Sequence, residues 1–182
     1  MASTVGHVLT GVAFGTAILP RTTSRRVWIA GVVCAALPDI DAIGRPFGWG
    51  DVAFLGGHRG LTHSLLFALI LGLLVTLIWF RDGPWNKAHT RIALYLVVAT
   101  AAHGVLDAFT SYGPGVAFFF PFSSTRYVSA WRPLQAANEI AWVWLPTILV
   151  ITAGSWVRRS RGSSHLDVQA ESVISTTVRK AS

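Results

Sequence analysis

The sequence is poor in charge and nearly devoid of cysteine. Only 13% of its 182 residues are Asp, Glu, Lys or Arg, against 52% hydrophobic ones, and mean hydropathy is +0.52. A soluble domain carries about 25% charged residues, so an ordinary soluble fold is set aside in favour of an integral membrane protein. One cysteine, Cys34, rules out an intramolecular disulfide and reads as core packing. The N-terminus has no basic stretch before its first apolar run, because the first arginine, Arg21, follows that run. A cleaved signal peptide is therefore not expected. Internal repeats and low-complexity stretches are also missing from the core of the chain.

What is present is a series of long apolar runs. A helix needs roughly 20 mostly apolar residues to cross the ~30 Å hydrocarbon core, and residues 61 to 80, 91 to 110 and 138 to 157 meet that length. Two shorter runs, 5 to 19 and 27 to 40, are expected to tilt, to be partly re-entrant or to pack inside the bundle. The fold class that follows is all-α: an integral membrane helical bundle of about five helices over residues 1 to 158. From residue 159 to 182 the chain is polar and small, as expected for a disordered cytoplasmic tail.

The net charge of +7 is arranged by connection. Arg21, Arg25 and Arg26 share one short loop, Arg81, Lys87 and Arg91 another, and Arg158, Arg159, Arg161, Arg179 and Lys180 the tail. With the N-terminus outside, all of these are cytoplasmic, and only Arg45, Arg59, Arg126 and Arg132 lie outside. This is the asymmetry of the positive-inside rule for a bacterial cytoplasmic (inner) membrane. The basic excess is thus topology, not a nucleic-acid footprint. The outer connections, 42 to 60 and 111 to 137, are the longer ones, where function tends to sit. The second is dense in Phe, Tyr and Trp, which suits an aromatic belt or a rim that receives a lipid.

Ionisable residues inside membrane segments are functional candidates by default. Here they are His7, Asp39, Asp41, His58, His63, His103, Asp107 and Glu139, and the charge-based topology puts every one toward the same face. In AHGVLD, His103 and Asp107 are one helical turn apart, and can share a metal ion or simply hydrogen-bond to each other. In PDID, Pro38 breaks the helix, and extended backbone would send Asp39 and Asp41 to opposite sides, one to ligate and one to orient a histidine or a second metal. In HRGLTHS, Thr62 is a candidate helix cap, and Gly60 lets His58 return toward His63. Glu139 can ligate, act as a general base, or sit at a helix N-terminus where the macrodipole favours an acid. Arg59 could fork onto a phosphate oxygen, and Arg126 is a second candidate. His89 and His165 read as exposed cytoplasmic histidines outside the site. Four histidines and up to four carboxylates exceed one four-coordinate ion, which points to two or three divalent ions, with zinc the leading choice.

The early histidine, PDID, HRGLTHS and HGVLDAFTSYG followed by FPFS together resemble the LexA-regulated, membrane-bound, metal-dependent hydrolase family, the YdjM-like proteins, over residues 4 to 145. That family is distantly similar to zinc-dependent phospholipase C and P1 nuclease. The resemblance implies that His7, Asp39 or Asp41, His63, His103 and Asp107 are metal ligands. It also implies an enzyme that cleaves a phosphoester of a membrane lipid or lipid-linked phosphate at the outer face, with Asp39 or Glu139 as base and Arg59 or Arg126 on the phosphate. This chain lacks the additional histidines and glutamate that follow HxxxD in the soluble enzymes, unless Glu139 replaces one. Two other readings stay open: an intramembrane proton or metal-ion transporter, and a non-catalytic membrane protein whose metal is structural. A transporter should carry ionisable residues on both sides of the midplane, and the cytoplasmic halves LLVTLIWF, IALYLVV and ITAGSWV carry none.

Overall fold

The computed structural model describes residues 3–43, 47, 55–135 and 138–158. Arg45 and the tail from residue 159 lie outside these. Five helices follow one another: α1 (Thr4–Ile18), α2 (Arg25–Ala36), α3 (Leu65–Trp79), α4 (Lys87–Ala108) and α5 (Ile140–Arg158). The described residues contain no strand, only the isolated bridges Thr110 to Leu134 and Val116 to Tyr127. The all-helical expectation holds. By length and composition α4 and α5 are long and apolar enough to cross a membrane, whereas α1 and α3 are shorter apolar helices of 15 residues.

The helix boundaries have local causes. Ser3 caps α1 by accepting the Gly6 N–H, and Pro20 follows its C-cap, Leu19. The run 27 to 40 splits at Ala36, where the chain tightens into a six-residue 3-10 turn, Leu37–Ala42, with Pro38 in its first positions. The run 61 to 80 likewise begins with a 3-10 turn, Leu61–His63, before Ser64 caps α3 by accepting the Phe67 N–H. Ser64, not Thr62, is therefore the cap. Asn86 and His89 close a reciprocal capping box on α4, and His89 is buried rather than exposed.

Helix α4 is the centre of the bundle and packs against α1, α2 and α3. Its residues Tyr95, Leu96 and Ala99 meet Cys34 and Ala35 of α2 and Val75 of α3 in one buried cluster. Close approach depends on small residues. A Cβ at Gly72 would lie 2.7 Å from the Val97 backbone nitrogen, and one at Gly31 would lie 1.9 Å from the Tyr95 hydroxyl.

Helix α5 is fastened to α1 at both ends. At one end Glu139 accepts from the Ser3 backbone N–H and hydroxyl, at 2.8 and 2.7 Å. At the other, Arg158 donates to the terminal carbonyls of α1, those of Gly15, Thr16 and Leu19, and stands over the Trp28 ring. The last carbonyls of a helix lack N–H groups from a following turn, so the cation there complements the carbonyls and the helix dipole together.

Gly31→Ala should lower the thermal unfolding midpoint of the detergent-purified protein, by an overpacking cost of about 1–3 kcal/mol. Combining it with Tyr95→Phe, which removes the obstructing hydroxyl, should recover part of the loss.

Candidate metal centre

Four separate pieces of chain bring their polar side chains to one place. Helix α1 contributes His7, and the last turns of α4 contribute His103 and Asp107. The 3-10 turn after α2 contributes Asp39 and Asp41. The loop before α3 contributes His58, Arg59 and His63. In a 3-10 turn, with about three residues per turn, side chains at i and i+2 point well apart. Asp39 and Asp41 thus diverge, although the backbone between them is not the extended one expected from PDID.

Asp41 faces inward and is fully buried. Its Oδ1 lies 2.8 Å from His58 Nδ1, and its Oδ2 accepts from the Arg59 backbone N–H at 3.0 Å and from the Thr62 hydroxyl at 2.7 Å. His63 Nδ1 stands 3.3 Å from the same Oδ2. These contacts compensate the burial of the carboxyl. Asp41 therefore fixes both rings by their Nδ1 sides and leaves their Nε2 atoms directed elsewhere. His58 Nε2 and His63 Nε2 are both buried without a hydrogen-bond partner.

His103 is fixed in the same way. Its Nδ1 lies 2.7 Å from the Ala35 carbonyl, which can only accept, so Nδ1 carries the proton. In the neutral ring Nε2 then offers a lone pair, and it faces Asp39 Oδ1 at 3.3 Å. His63 Nε2 lies 3.5 Å from Asp107 Oδ2 and 3.8 Å from Asp39 Oδ1. These four residues, Asp39, His63, His103 and Asp107, can direct donor atoms that all lie within 4.8 Å of one another. Acceptors do not face acceptors in a dry interior unless positive charge lies between them. Tetrahedral zinc with bonds of about 2.0–2.2 Å places its ligands roughly 3.3–3.6 Å apart, close to the separations seen here. Imidazole and carboxylate together suit zinc or another borderline divalent ion. The residues fit a metal.

His7 stands beside this group. Its ring stacks on that of His103 at 3.5 Å, its Nε2 is 3.6 Å from Asp107 Oδ1, and both its ring nitrogens are buried without hydrogen bonds. Asp107 can thus serve His63 from one oxygen and His7 from the other. Asp41, His58 and His63 form a second group of possible ligands, but the 2.8 Å contact between Asp41 and His58 is that of a hydrogen bond. It is shorter than the edge of a tetrahedral site. The geometry favours Asp41 as the residue that orients the histidines.

Three expectations change. Arg59 does not present a free fork to a phosphate. It is buried, with Nε 2.8 Å from Asp107 Oδ2, and its terminal nitrogens donate to the Tyr112 carbonyl and the Thr110 hydroxyl. It adopts this pose from a left-handed backbone, φ 64°, uncommon for a residue with a Cβ. Glu139 is occupied as a cap on α1, with Trp144 Nε1 also near at 3.4 Å, and lies outside both ligand groups. Arg126 donates to the carbonyls of Gly56, His58 and Gly115. It ties the loop after α4 onto the loop before α3, where Ala117 N–H also donates to the Arg59 carbonyl at 3.0 Å. The roles of Thr62, Thr110 and the Ala35 carbonyl carry no signal in the sequence, since they arise from contacts between distant segments.

A family model described as YdjM inner membrane protein matches residues 1–174. The chain belongs to the YdjM inner membrane protein family. It is 32% identical over 181 residues to inner membrane protein YbcI of Escherichia coli (strain K12), covering 87% of this chain and all of that protein. It is 34% identical over 123 residues to the uncharacterised protein YvsG of Bacillus subtilis (strain 168), covering 63% of this chain and 71% of that one. No solved structure matches.

Arg59→Gln should be among the most damaging single changes near the centre, because it leaves Asp107 buried without its cation. A loss of about 3–5 kcal/mol is expected from breaking a buried pair. Thermal unfolding of the chelator-treated protein measures it, and Lys at the same position should rescue only part, lacking the planar fork.

Proposed function

We propose that this YdjM family member is a multi-pass protein of the bacterial inner membrane and a divalent-metal-dependent hydrolase, and that it cleaves a phosphoester of a membrane lipid or lipid-linked phosphate. The observation that carries the reading is the set of buried histidine nitrogens and aspartate oxygens turned toward one another, with the Nδ1 sides of His58 and His103 already committed. Asp39, His63, His103 and Asp107 would hold the ion, with His7 placed to share a second one through Asp107. Histidine and aspartate donors are of the kind that the resembled zinc-dependent phospholipase C and P1 nuclease group uses, although the additional histidines and glutamate after HxxxD are missing here, and this partial resemblance supports phosphoester chemistry over other hydrolysis. When bound, the metal would polarise a phosphoryl oxygen and make water easier to deprotonate.

The chain's own groups have separable tasks. Asp39 is the most exposed of the four, its side chain 20% accessible while those of His63 and Asp107 are fully covered. Substrate would therefore approach past Asp39, whose carboxylate would accept a proton from attacking water. Arg59 holds Asp107 ionised and aimed. Asp41 keeps His58 and His63 in one tautomer and orientation. Glu139 takes no part as base. The loop-charge bias supports an outward-facing site.

Metal content per chain on detergent-purified protein, prepared without chelator, tests the first step. Wild type should retain at least one zinc-like ion, and His63→Ala and His103→Ala should lose it. Asp41→Ala should keep the ligands but weaken metal affinity by about 10–100-fold, as expected for a residue that orients a ligand. Headgroup release from phospholipid vesicles tests the second: it should stop with chelator, return with zinc and be absent in Asp39→Asn. Undiminished release by a His63→Ala, Asp107→Ala double variant would refute the hydrolase reading.

A further inference from the structure

Between α2 and α3 the bundle leaves a groove of about 640 Å³, within the range of roughly 300–1,000 Å³ typical of small-molecule sites. Ile29, Ala30, Val33 and Cys34 of α2 form one wall, and Leu71 and Val75 of α3 the other. From Arg26 to Leu37 it follows α2 for about 16 Å at 1.5 Å per residue. Arg26, Trp79 and Phe80 line one end. At the other end, Val33 and Leu37 also line a second hollow, of about 500 Å³, together with Asp39, Ile40 and Ile43. The two hollows therefore adjoin at Val33 and Leu37, and the second reaches the most exposed residue of the candidate metal centre.

We infer that this groove holds one hydrocarbon chain of the substrate, a phospholipid or lipid-linked phosphate whose phosphate lies at Asp39 while its chain runs between α2 and α3 toward Trp79. The inference rests on the hydrolase reading and gives one hydrocarbon chain of its lipid substrate a binding site. The occupant must be amphiphilic, because the space changes from mostly apolar walls to the carboxylate of Asp39 within the few residues from Val33 to Asp39. A free, water-soluble phosphate ester would gain nothing from the apolar part. A hydrocarbon chain placed there fills space against Cys34 and Val75, both buried on their inner sides, and positions its own ester bond at the polar end. Such remote contacts are what convert binding into positioning of a reacting group.

The probe is phosphatidic acid with a photoreactive diazirine midway along one acyl chain, at low fraction in phosphatidylcholine nanodiscs holding the full-length protein. After illumination, mass spectrometry of peptides should find adducts concentrated on the groove residues Val33, Leu71 and Val75, well above Leu149, an exposed residue of α5 that reports ordinary lipid contact. Val33→Trp, at a position 54% exposed, should cut groove labelling about tenfold, the effect of removing roughly 1.4 kcal/mol of binding. It should leave both Leu149 labelling and metal content unchanged. Ala30→Trp, which narrows the groove from deeper in the same wall, provides a second filled variant if the first loses metal. Groove labelling no higher than that of Leu149, or unaffected in a filled variant that keeps its metal, would overturn the inference. His63→Ala separates the two proposals: loss of metal with groove labelling retained supports both, whereas a labelled groove in a wild type that binds no metal would sink the hydrolase reading alone.

Discussion

A carboxylate sealed from water must be answered by positive charge or hydrogen bonds, and Asp107 at the end of α4 is such a carboxylate. Arg59 stands 2.8 Å from one of its oxygens, His63 3.5 Å from that same oxygen, and His7 3.6 Å from the other. Those partners come from α1 and from the loop before α3, so the neutralisation of one side chain draws two other parts of the chain onto the central helix. An isolated charge in such a place would cost several kcal/mol. The unusual backbone at Arg59 is one consequence. The left-handed conformation turns the guanidinium inward while its N–H reaches Asp41 and its carbonyl accepts from Ala117. Strain of this sort persists only where its surroundings over-determine it, and here contacts on all sides do so.

The two aspartates of the 3-10 turn divide the remaining work. Asp41 is saturated by donors from the facing loop and so becomes a structural anchor, while Asp39 keeps an accessible side chain and faces two histidine nitrogens. In the 3-10 turn the two side chains point about 120° apart, so Asp41 meets the facing loop while Asp39 points to His63 and His103. Pro38 makes the tightening natural, since an α-helix cannot pass through it without losing a hydrogen bond.

Much of this was legible in the sequence, and the reasons differ by element. The five apolar runs lie within a few residues of the five helices because lipid-compatible helices must be apolar along their length, a signal that needs no tertiary knowledge. The gathering of His7, Asp39, Asp41, His58, His63, His103 and Asp107 was legible because buried ionisable residues are costly and so mark a shared site. What could not be read was direction. Arg59 between two histidines looks like a substrate clamp until its partners, Thr110 and Tyr112, arrive from some fifty residues downstream. Glu139 looks like a fourth carboxylate until the N-terminus of α1 takes both its oxygens. Thr62 resembles a cap because its hydroxyl precedes an apolar run, but Asp41 competes for it, and Ser64 serves instead.

Helix lengths explain why the polar centre sits where the apolar runs begin or end. The 12 residues of α2 rise only about 18 Å and the 15 of α3 about 22 Å, short of a ~30 Å hydrocarbon core. The 3-10 turns add roughly 2.0 Å per residue: about 12 Å from the six residues Leu37–Ala42 and about 6 Å from Leu61–His63. In the proposed multi-pass arrangement α2 and α3 span the membrane only together with their turns, so the turns lie within the edge of the hydrocarbon depth. Irregular backbone is tolerated at such depth where protein buries it or where it lines a cavity. The two turns meet one condition each. The loop after α4 covers the turn before α3 through Ala117, Phe118 and Arg126, whereas the turn after α2 lines the hollow at Asp39. His58 and His63 therefore stand at the threshold of an apolar run because there the backbone leaves the α-helix, and such a turn can aim them at the residues that α1 and α4 bring to the same point.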